Sequence, residues 1–260
     1  WILGVHKKAN NNFCYGDTGR TPWTVTVILQ CLAYFHRASL AVEGNVNTLL
    51  HHTFQEQKLL NLNWYDSWST IAKMSTVSKP QLSPTLNACG YIHETFVDHW
   101  KRDLLNQPKM SFYTAVKFEF GEEPYLQLPC RLNRVNIAKL RSSSHDLRIE
   151  KGRYTKDHLN TALKTCRFCC SSETDVIRFL EELPFFETPI LETEDHVLTE
   201  CPYYHQLRSN LSDNLKSLLM LKEYGAIMNS THIKEFGKYL TDSSNLRNPP
   251  KTSLNPRQQM

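Results

Sequence analysis

The stretch from Cys166 to Cys201 constrains this chain more than any other feature. It opens with Thr165-Cys166-Arg167-Phe168-Cys169-Cys170 and closes with Glu194-Asp195-His196-Val197-Leu198-Thr199-Glu200-Cys201-Pro202. As spacing this is C-x2-C, a long gap, then H-x4-C. Two thiolates two residues apart can grip one side of a tetrahedral zinc ion, and an imidazole and a thiolate can grip the other. Arg167 is expected to help ionise the first pair, because a neighbouring cation lowers a thiol pKa. Three cysteines and a histidine can also fall near one another by chance, so spacing alone leaves zinc and coincidence both open.

The rest of the composition sets the setting for that site. The chain has 260 residues, enough for one large domain or two small ones. Glycine is scarce, at 9 residues, which favours helices over a turn-rich sheet protein. Eight cysteines, at 14, 31, 89, 130, 166, 169, 170 and 201, are irregularly spaced, and four stand singly in apolar helical patterns. That suits a reducing, intracellular setting, nuclear or cytoplasmic, with buried thiols and one metal site. No run approaches the roughly 20 apolar residues of a membrane span, and the start lacks a signal-peptide pattern. Because Trp1-Ile2-Leu3-Gly4-Val5 reads like the middle of a chain, a longer parent is expected.

Periodicity predicts a mainly α protein, a helical bundle followed by a small zinc-knuckle-like element and C-terminal helices. Thr21-Pro22 makes a helix start, with Thr as cap and Pro in the first turn. Val25, Ile28, Leu29, Leu32 and Phe35 follow at helical spacing as far as Gly44. A second pattern carries Val46, Leu49, Leu50, Thr53 and Phe54. A third carries Trp64, Trp68, Ile71 and Met74, read as a core-facing seam rather than a ligand cage. After the break from Ser78 to Pro84, a strong helix places Cys89, Ile92, Phe96, Trp100 and Leu104 on one face. His93, Glu94, Asp98 and His99 lie on it too, and are read as a solvated face because neighbours on a helix point about 100° apart. Residues 111–120 leave strand and short helix undecided.

Further on, Leu132, Val135, Ala138 and Leu140 suggest a helix over 129–141, and Ser142 to Asp146 reads as a polar linker. Leu207, Leu211, Leu215, Leu218 and Leu219 mark one long amphipathic helix ending at Gly225; Ile233, Phe236 and Leu240 mark a shorter one. Ser243 to Met260 is expected to be disordered. These breaks divide the chain into 1–128, 129–242 and a tail, 243–260.

Net charge is only +4, but it is unevenly placed. Ten cations face three acids between 131 and 169, whereas nine acids face one arginine between 173 and 200. A basic arm thus precedes the metal-ligand pattern and an acidic excursion lies inside it. Such an arm, with Tyr154 and Phe168 in it, can hold a nucleic-acid backbone and stack a base, or be an ordinary solvated face.

Three stretches together resemble a known family. They are Leu140-Arg141-Ser142-Ser143-Ser144-His145-Asp146-Leu147-Arg148-Ile149-Glu150-Lys151-Gly152-Arg153-Tyr154, then Cys166-Arg167-Phe168-Cys169, then Glu194 to Tyr204 with Leu207-Arg208. They are similar to the region downstream of the polymerase in LINE-type (non-LTR) retrotransposon reverse transcriptases. There an L-R-x-S-x-H-x-L-x-I-E-x-G-R-Y approach leads to a zinc-binding-like segment. Leu3-Gly4-Val5 with Gly16-Asp17-Thr18-Gly19-Arg20-Thr21-Pro22 resembles that family's entry into the helices after the thumb. The gap from Cys169 to His196 is longer than the family's short spacer. Glu194-Asp195 stands in a slightly compressed register, and Cys170 is in reach as an alternative to Cys169.

The resemblance implies a non-catalytic C-terminal segment beside an upstream polymerase region. Cys166, Cys169, His196 and Cys201 would hold a structural zinc. Template RNA or target DNA would be touched by Arg148, Lys151, Arg153, Arg167 and Arg208, with Tyr154 or Tyr204 stacking on a base. Paired aspartates for two-metal chemistry are missing, since no Asp-Asp dipeptide occurs, and no Gly-rich phosphate loop is present. The expected chain is therefore not an enzyme by itself. The alternative reading is a helical interaction scaffold that docks a partner on the Leu207–Leu219 seam without a working metal site.

Overall fold

The computed structural model describes residues 3–5, 9–40, 84–117, 119–151, 164–169 and 190–249, with scattered positions between 52 and 73. Two expected elements, the pattern on Val46 to Phe54 and the stripe of Trp64, Trp68, Ile71 and Met74, lie outside the described residues. So do Arg153 and Tyr154 of the basic arm, and Cys170.

The described residues are mostly helical, and the β structure among them is two isolated antiparallel bridges. They form two compact units: Gly19–Asn106 is one, and Trp1–Thr18 with Gln107–Met260 is the other. This division falls at different positions from the expected boundary at 128. The opening helix belongs with the second half of the chain because its Asp17 is bound there.

In the smaller unit, α2 (Trp23–Leu40) packs against α3 (Pro84–Leu105). Both begin next to a proline, which fits the first turn because its missing N–H is one that a helix start leaves unpaired anyway. On α3, Trp100 and Leu104 are buried while His93, Glu94, Asp98 and His99 face solvent. The His99 ring is occupied by its own helix, with Nδ1 2.8 Å from the Thr95 carbonyl oxygen. Thiols in this protein are less buried than expected: Cys31 and Cys130 are exposed.

The larger unit is assembled from α1 (Asn11–Thr18), α4 (Ser111–Val116), α5 (Arg131–Arg141), the single turn α6 (Arg148–Lys151) and four C-terminal helices. Residues 111–116 resolve as a helix. The apolar side of α5 is turned from the expected one: Ile137, Ala138, Leu140 and Arg141 are buried and Leu132 is exposed. An arginine counts as core here because Asp17 neutralises it. Ser142 to Ser144 form a tight helix stop rather than a loose linker. Ser142 and Ser143 are buried, Ser143 is left-handed at φ 47°, and the Ser144 N–H donates to Lys139 O at 2.8 Å. That six-to-one bond satisfies a carbonyl the helix end would otherwise orphan.

The single long helix expected over 207–225 is three: α7 (His205–Ser209), α8 (Asp213–Met220) and α9 (Tyr224–Met228). Ser212 breaks the first pair by stepping to extended backbone, where its N–H (2.6 Å) and hydroxyl (2.7 Å) both donate to Glu235. Lys222, left-handed at φ 57°, breaks the second, with Glu223 N–H donating to Leu218 O at 2.9 Å. The apolar seam is used internally, since Leu211, Leu215 and Leu219 are buried and Leu207 packs on the cysteine cluster.

The last helix, α10 (Ile233–Arg247), extends past the expected start of the tail at Ser243. It lies along α5, and the approach is close: a Cβ on Gly237 would stand 3.0 Å from Asn133 Cβ. Gly4 serves similarly at the chain's start, left-handed at φ 61° with no room for a Cβ beside Val135. Among the described residues no helix is long and apolar enough to cross a membrane.

Candidate metal centre

Cys166 and Cys169 sit in a short loop whose placement is fixed by backbone. The Cys166 N–H donates to Ile190 O and the Glu192 N–H to Lys164 O, each at 2.8 Å, forming the Thr165–Leu191 bridge. The two ends of the long excursion are therefore pinned together, and the excursion's length does not act on the loop's position. Glu192 is fully buried beyond this bridge. It receives the Arg148 N–H at 2.7 Å and two guanidinium nitrogens of Arg247, one of them at 2.7 Å.

His196 and Cys201 arrive by a different device. On a regular α-helix, residues five apart point about 140° away from each other, so H-x4-C would not converge. Here His196–Glu200 is a π-helical turn, closed by Cys201 N–H donating to His196 O at 2.7 Å. The wider turn brings position 201 back beneath position 196. Thr193 starts the turn, its Oγ1 accepting from the His196 N–H at 3.1 Å. Cys201 then leaves it at ψ 120°, ahead of Pro202.

The four side chains converge. Cys169 Sγ lies 3.3 Å from His196 Nε2 and 3.7 Å from Cys201 Sγ, and Cys166 Sγ lies 3.9 Å from Cys201 Sγ. All four donor atoms fall within 4.8 Å of one another. Leu147, Val197 and Tyr204 wall the cluster, with Phe168 and Leu207 packed outside them. Burial first, and the neighbouring sulfurs after it, push the Cys169 thiol well above its ordinary value; burial also raises Cys201. Packing this many thiols in an apolar pocket disfavours three thiolates, unless a cation is shared among them. Three sulfurs and one imidazole nitrogen form a soft donor set that suits an ion of tetrahedral preference. His196 Nδ1 faces Glu200 at 3.5 Å, the side on which a metal-bound imidazole usually meets a carboxylate.

No family model, curated protein or solved structure matches this chain.

The structure treats the expected nucleic-acid residues individually. Arg148 and Arg167 are at the metal loop, but Arg167 does not act on the thiols. Its guanidinium donates to Arg247 O at 2.6 Å and covers the Phe168 ring at 4.6 Å, while the raised thiols follow burial. Lys151 ends α6. Tyr204 is 1% exposed and cannot stack on a base; burial raises its pKa to about 12. Its neighbour Tyr203 is the exposed one, stacked on Phe168 at 3.7 Å and 4°.

Arg208 has a structural task. It donates to Val197 O at 3.3 Å and to Cys201 O at 2.5 Å, the latter also accepting the Tyr204 N–H at 3.2 Å, and so ties the widened turn to its exit. Tyr239 joins it, its hydroxyl 3.3 Å from Val197 O. Sequence reading missed Tyr239, Glu192 and Arg247. Glu192 was counted as part of an acidic excursion, and Arg247 stood in a stretch rich in Asn, Ser and Pro, which masked its place on a helix.

Proposed function

We propose that this chain binds a structural zinc ion at Cys166, Cys169, His196 and Cys201 and uses the surface beside it to hold RNA or DNA, as the C-terminal segment of a LINE-type reverse transcriptase. The convergence of these four side chains carries the reading. Zn–S bonds of about 2.3 Å put tetrahedral sulfurs about 3.8 Å apart, and a sulfur and a nitrogen about 3.6 Å apart. The observed 3.9, 3.7 and 3.3 Å lie close to those values. Zinc bound here would supply no chemistry beyond holding the loop and the π turn together.

The lineage draws support from how the resembling stretches are used. Asp17 of the opening stretch binds Arg141 of the Leu140-Arg141 stretch, and His145 of the same stretch binds Glu194, two positions before the histidine ligand. Arg148 and the exposed Arg167 stand beside the ligand-bearing loop, Lys151 of the basic arm would add a third cation for phosphates, and Tyr203 is exposed for a base. The polymerase itself would be supplied by an upstream region of the parent.

The full chain, purified without added chelator, is expected to carry one zinc ion, absent from Cys201→Ser. Its affinity for single-stranded RNA should fall linearly in log–log form with salt, and Arg167→Ala should flatten the slope by about 1. A metal-free protein whose RNA binding ignores salt would sink both halves of the reading. The burial of Leu211, Leu215 and Leu219 inside the fold supports this reading over a helical interaction scaffold that docks a partner on the Leu207–Leu219 seam.

A further inference from the structure

Tyr203 is the exposed end of a stack of flat side chains resting on the metal centre. Its ring lies face to face on Phe168, with centroids 3.7 Å apart and planes 4° off parallel. Aromatic pairs usually avoid this sandwich, because both ring faces are negative, and settle into offset or edge contacts. Here it is held from several sides. With Tyr203 on one face of Phe168, the Arg167 guanidinium covers the other, 4.6 Å from the ring centroid, and offsets the negative face. The Tyr203 hydroxyl donates to Leu246 O at 3.3 Å. Tyr204 stands perpendicular to both rings, 5.2 Å from Tyr203 and 5.9 Å from Phe168. A ring laid over the outer face of Tyr203 would be separated from Phe168 by the whole stack. Tyr204 is nearly equidistant from the two, so it braces the side and leaves that outer face open on a residue 41% exposed.

A rigid, electron-rich ring face suits either a flat heterocycle or a cation. The surrounding charge decides between them. Arg167 is exposed and Arg247 stands 5.9 Å from the Phe168 ring, whereas Glu192 is buried and bound to Arg247. A cationic side chain arriving here meets like charge; a base with its phosphates meets the opposite sign. We propose that the outer face of Tyr203 seats one unpaired base of a single strand. The inference rests on the nucleic-acid reading above for its strand and adds a preference for single strands, since bases inside a duplex already have both faces stacked. Arg167, at the far end of the stack, takes a phosphate of a flanking nucleotide. One of its N–H groups is given to Arg247 O at 2.6 Å, and a guanidinium has several more. The seat is also coupled to the metal loop. Phe168 directly precedes Cys169 and Tyr203 lies just beyond Cys201, so the stack ties the same two segments as the ligands do.

The test uses the full chain, purified without chelator, and a short oligouridine carrying one central fluorescent purine analogue. Stacking on tyrosine should quench the analogue as the strand binds. Tyr203→Ala should lose the quench and raise the Kd about fivefold to a hundredfold, the contribution of one base on one aromatic ring. Tyr203→Phe, which keeps the ring, should stay near wild type. Neither change should alter the salt dependence of binding, because the ring is uncharged, and Tyr203→Ala should leave affinity for the same sequence as a duplex unchanged. Chelating the metal should weaken the quench. No quench in the wild type, an unchanged Kd in Tyr203→Ala, an equal loss on duplex, or displacement of the strand by a trimethyllysine peptide would each overturn the proposal. Should Tyr203→Ala fold poorly, the quench in wild type and in Tyr203→Phe carries the test. A quench that survives chelation would overturn the coupling to the metal loop. The two readings separate cleanly: a quench with salt-insensitive binding sinks the phosphate contacts alone, and salt-dependent binding without a quench sinks the seat alone.

Discussion

The Asp17 carboxylate and the Arg141 guanidinium, 124 positions apart, meet in a buried two-pronged ion pair with contacts of 2.9 and 3.1 Å. Neither side chain reaches solvent. Tyr125 adds a 2.6 Å hydrogen bond to the same carboxylate, and Glu123 approaches Arg141 at 3.0 Å. Removing Asp17 leaves the buried guanidinium with Glu123 as its remaining carboxylate, and removing Arg141 leaves the buried Asp17 carboxylate without a cation. Asp17→Asn is therefore expected to cost about 3–5 kcal/mol in urea unfolding. An Asp17→Leu, Arg141→Met double variant should recover part of that loss, because replacing both ions leaves no charge stranded. A single variant within experimental error of wild type would refute the role assigned to the pair.

Arg208 predicts a link between backbone and metal affinity. It bridges Val197 O and Cys201 O across the exit of the π turn, and Cys201 is a proposed ligand. Arg208→Gln should leave the helices formed but weaken metal affinity about 10-fold or more, in the range known for residues that support ligands. Competition with a chromophoric chelator measures this directly. Equal affinity in the two proteins would reduce Arg208 to a surface contact.

The excursion between Cys169 and His196 should be dispensable for the site. Its ends are fastened by the Thr165–Leu191 bridge, and halving a loop alters its closure free energy by only about 0.6 kcal/mol. Replacing residues 172–187 by a short Gly/Ser linker should keep metal stoichiometry and change affinity less than about threefold. Loss of the ion from such a deletion would show that the excursion itself builds the centre.

Glu235 gives a pH signature. Burial pushes its carboxyl up, but the N–H and hydroxyl of Ser212, aided by His232, bring it below its ordinary 4.5 overall. The folded state then binds fewer protons than the unfolded state in the window just below that value. Its stabilising share is present above the unfolded pKa and is lost as pH falls through the lower, folded one. Melting curves between neutral and acid pH should therefore fall less steeply for Glu235→Gln than for wild type. Parallel profiles for the two proteins would contradict this.

Much of the helix pattern was legible in order. Apolar spacing located α3 from Trp100 and Leu104, and Thr21-Pro22 marked the entry to α2. Local breaks were harder. Ser212 and Lys222 divide the Leu207–Leu219 run although its apolar spacing continues, because periodicity records which side is buried and not whether the backbone is continuous. The partner that holds Ser212 in extended form, Glu235, lies 23 positions away.

Sequence by itself determined the predominance of helix and the four donors of the metal pattern, since residue type and short spacing fix what one turn or loop can present. Only the tertiary structure decided that the donors meet, that Tyr204 lies inside while Tyr203 lies outside, and that Arg141, Arg208 and Arg247 hold the protein's own carboxylates and carbonyls. A cation's role depends on which acceptor comes within about 3 Å of it. That distance is set by chain segments up to 124 positions apart, and no local pattern encodes it.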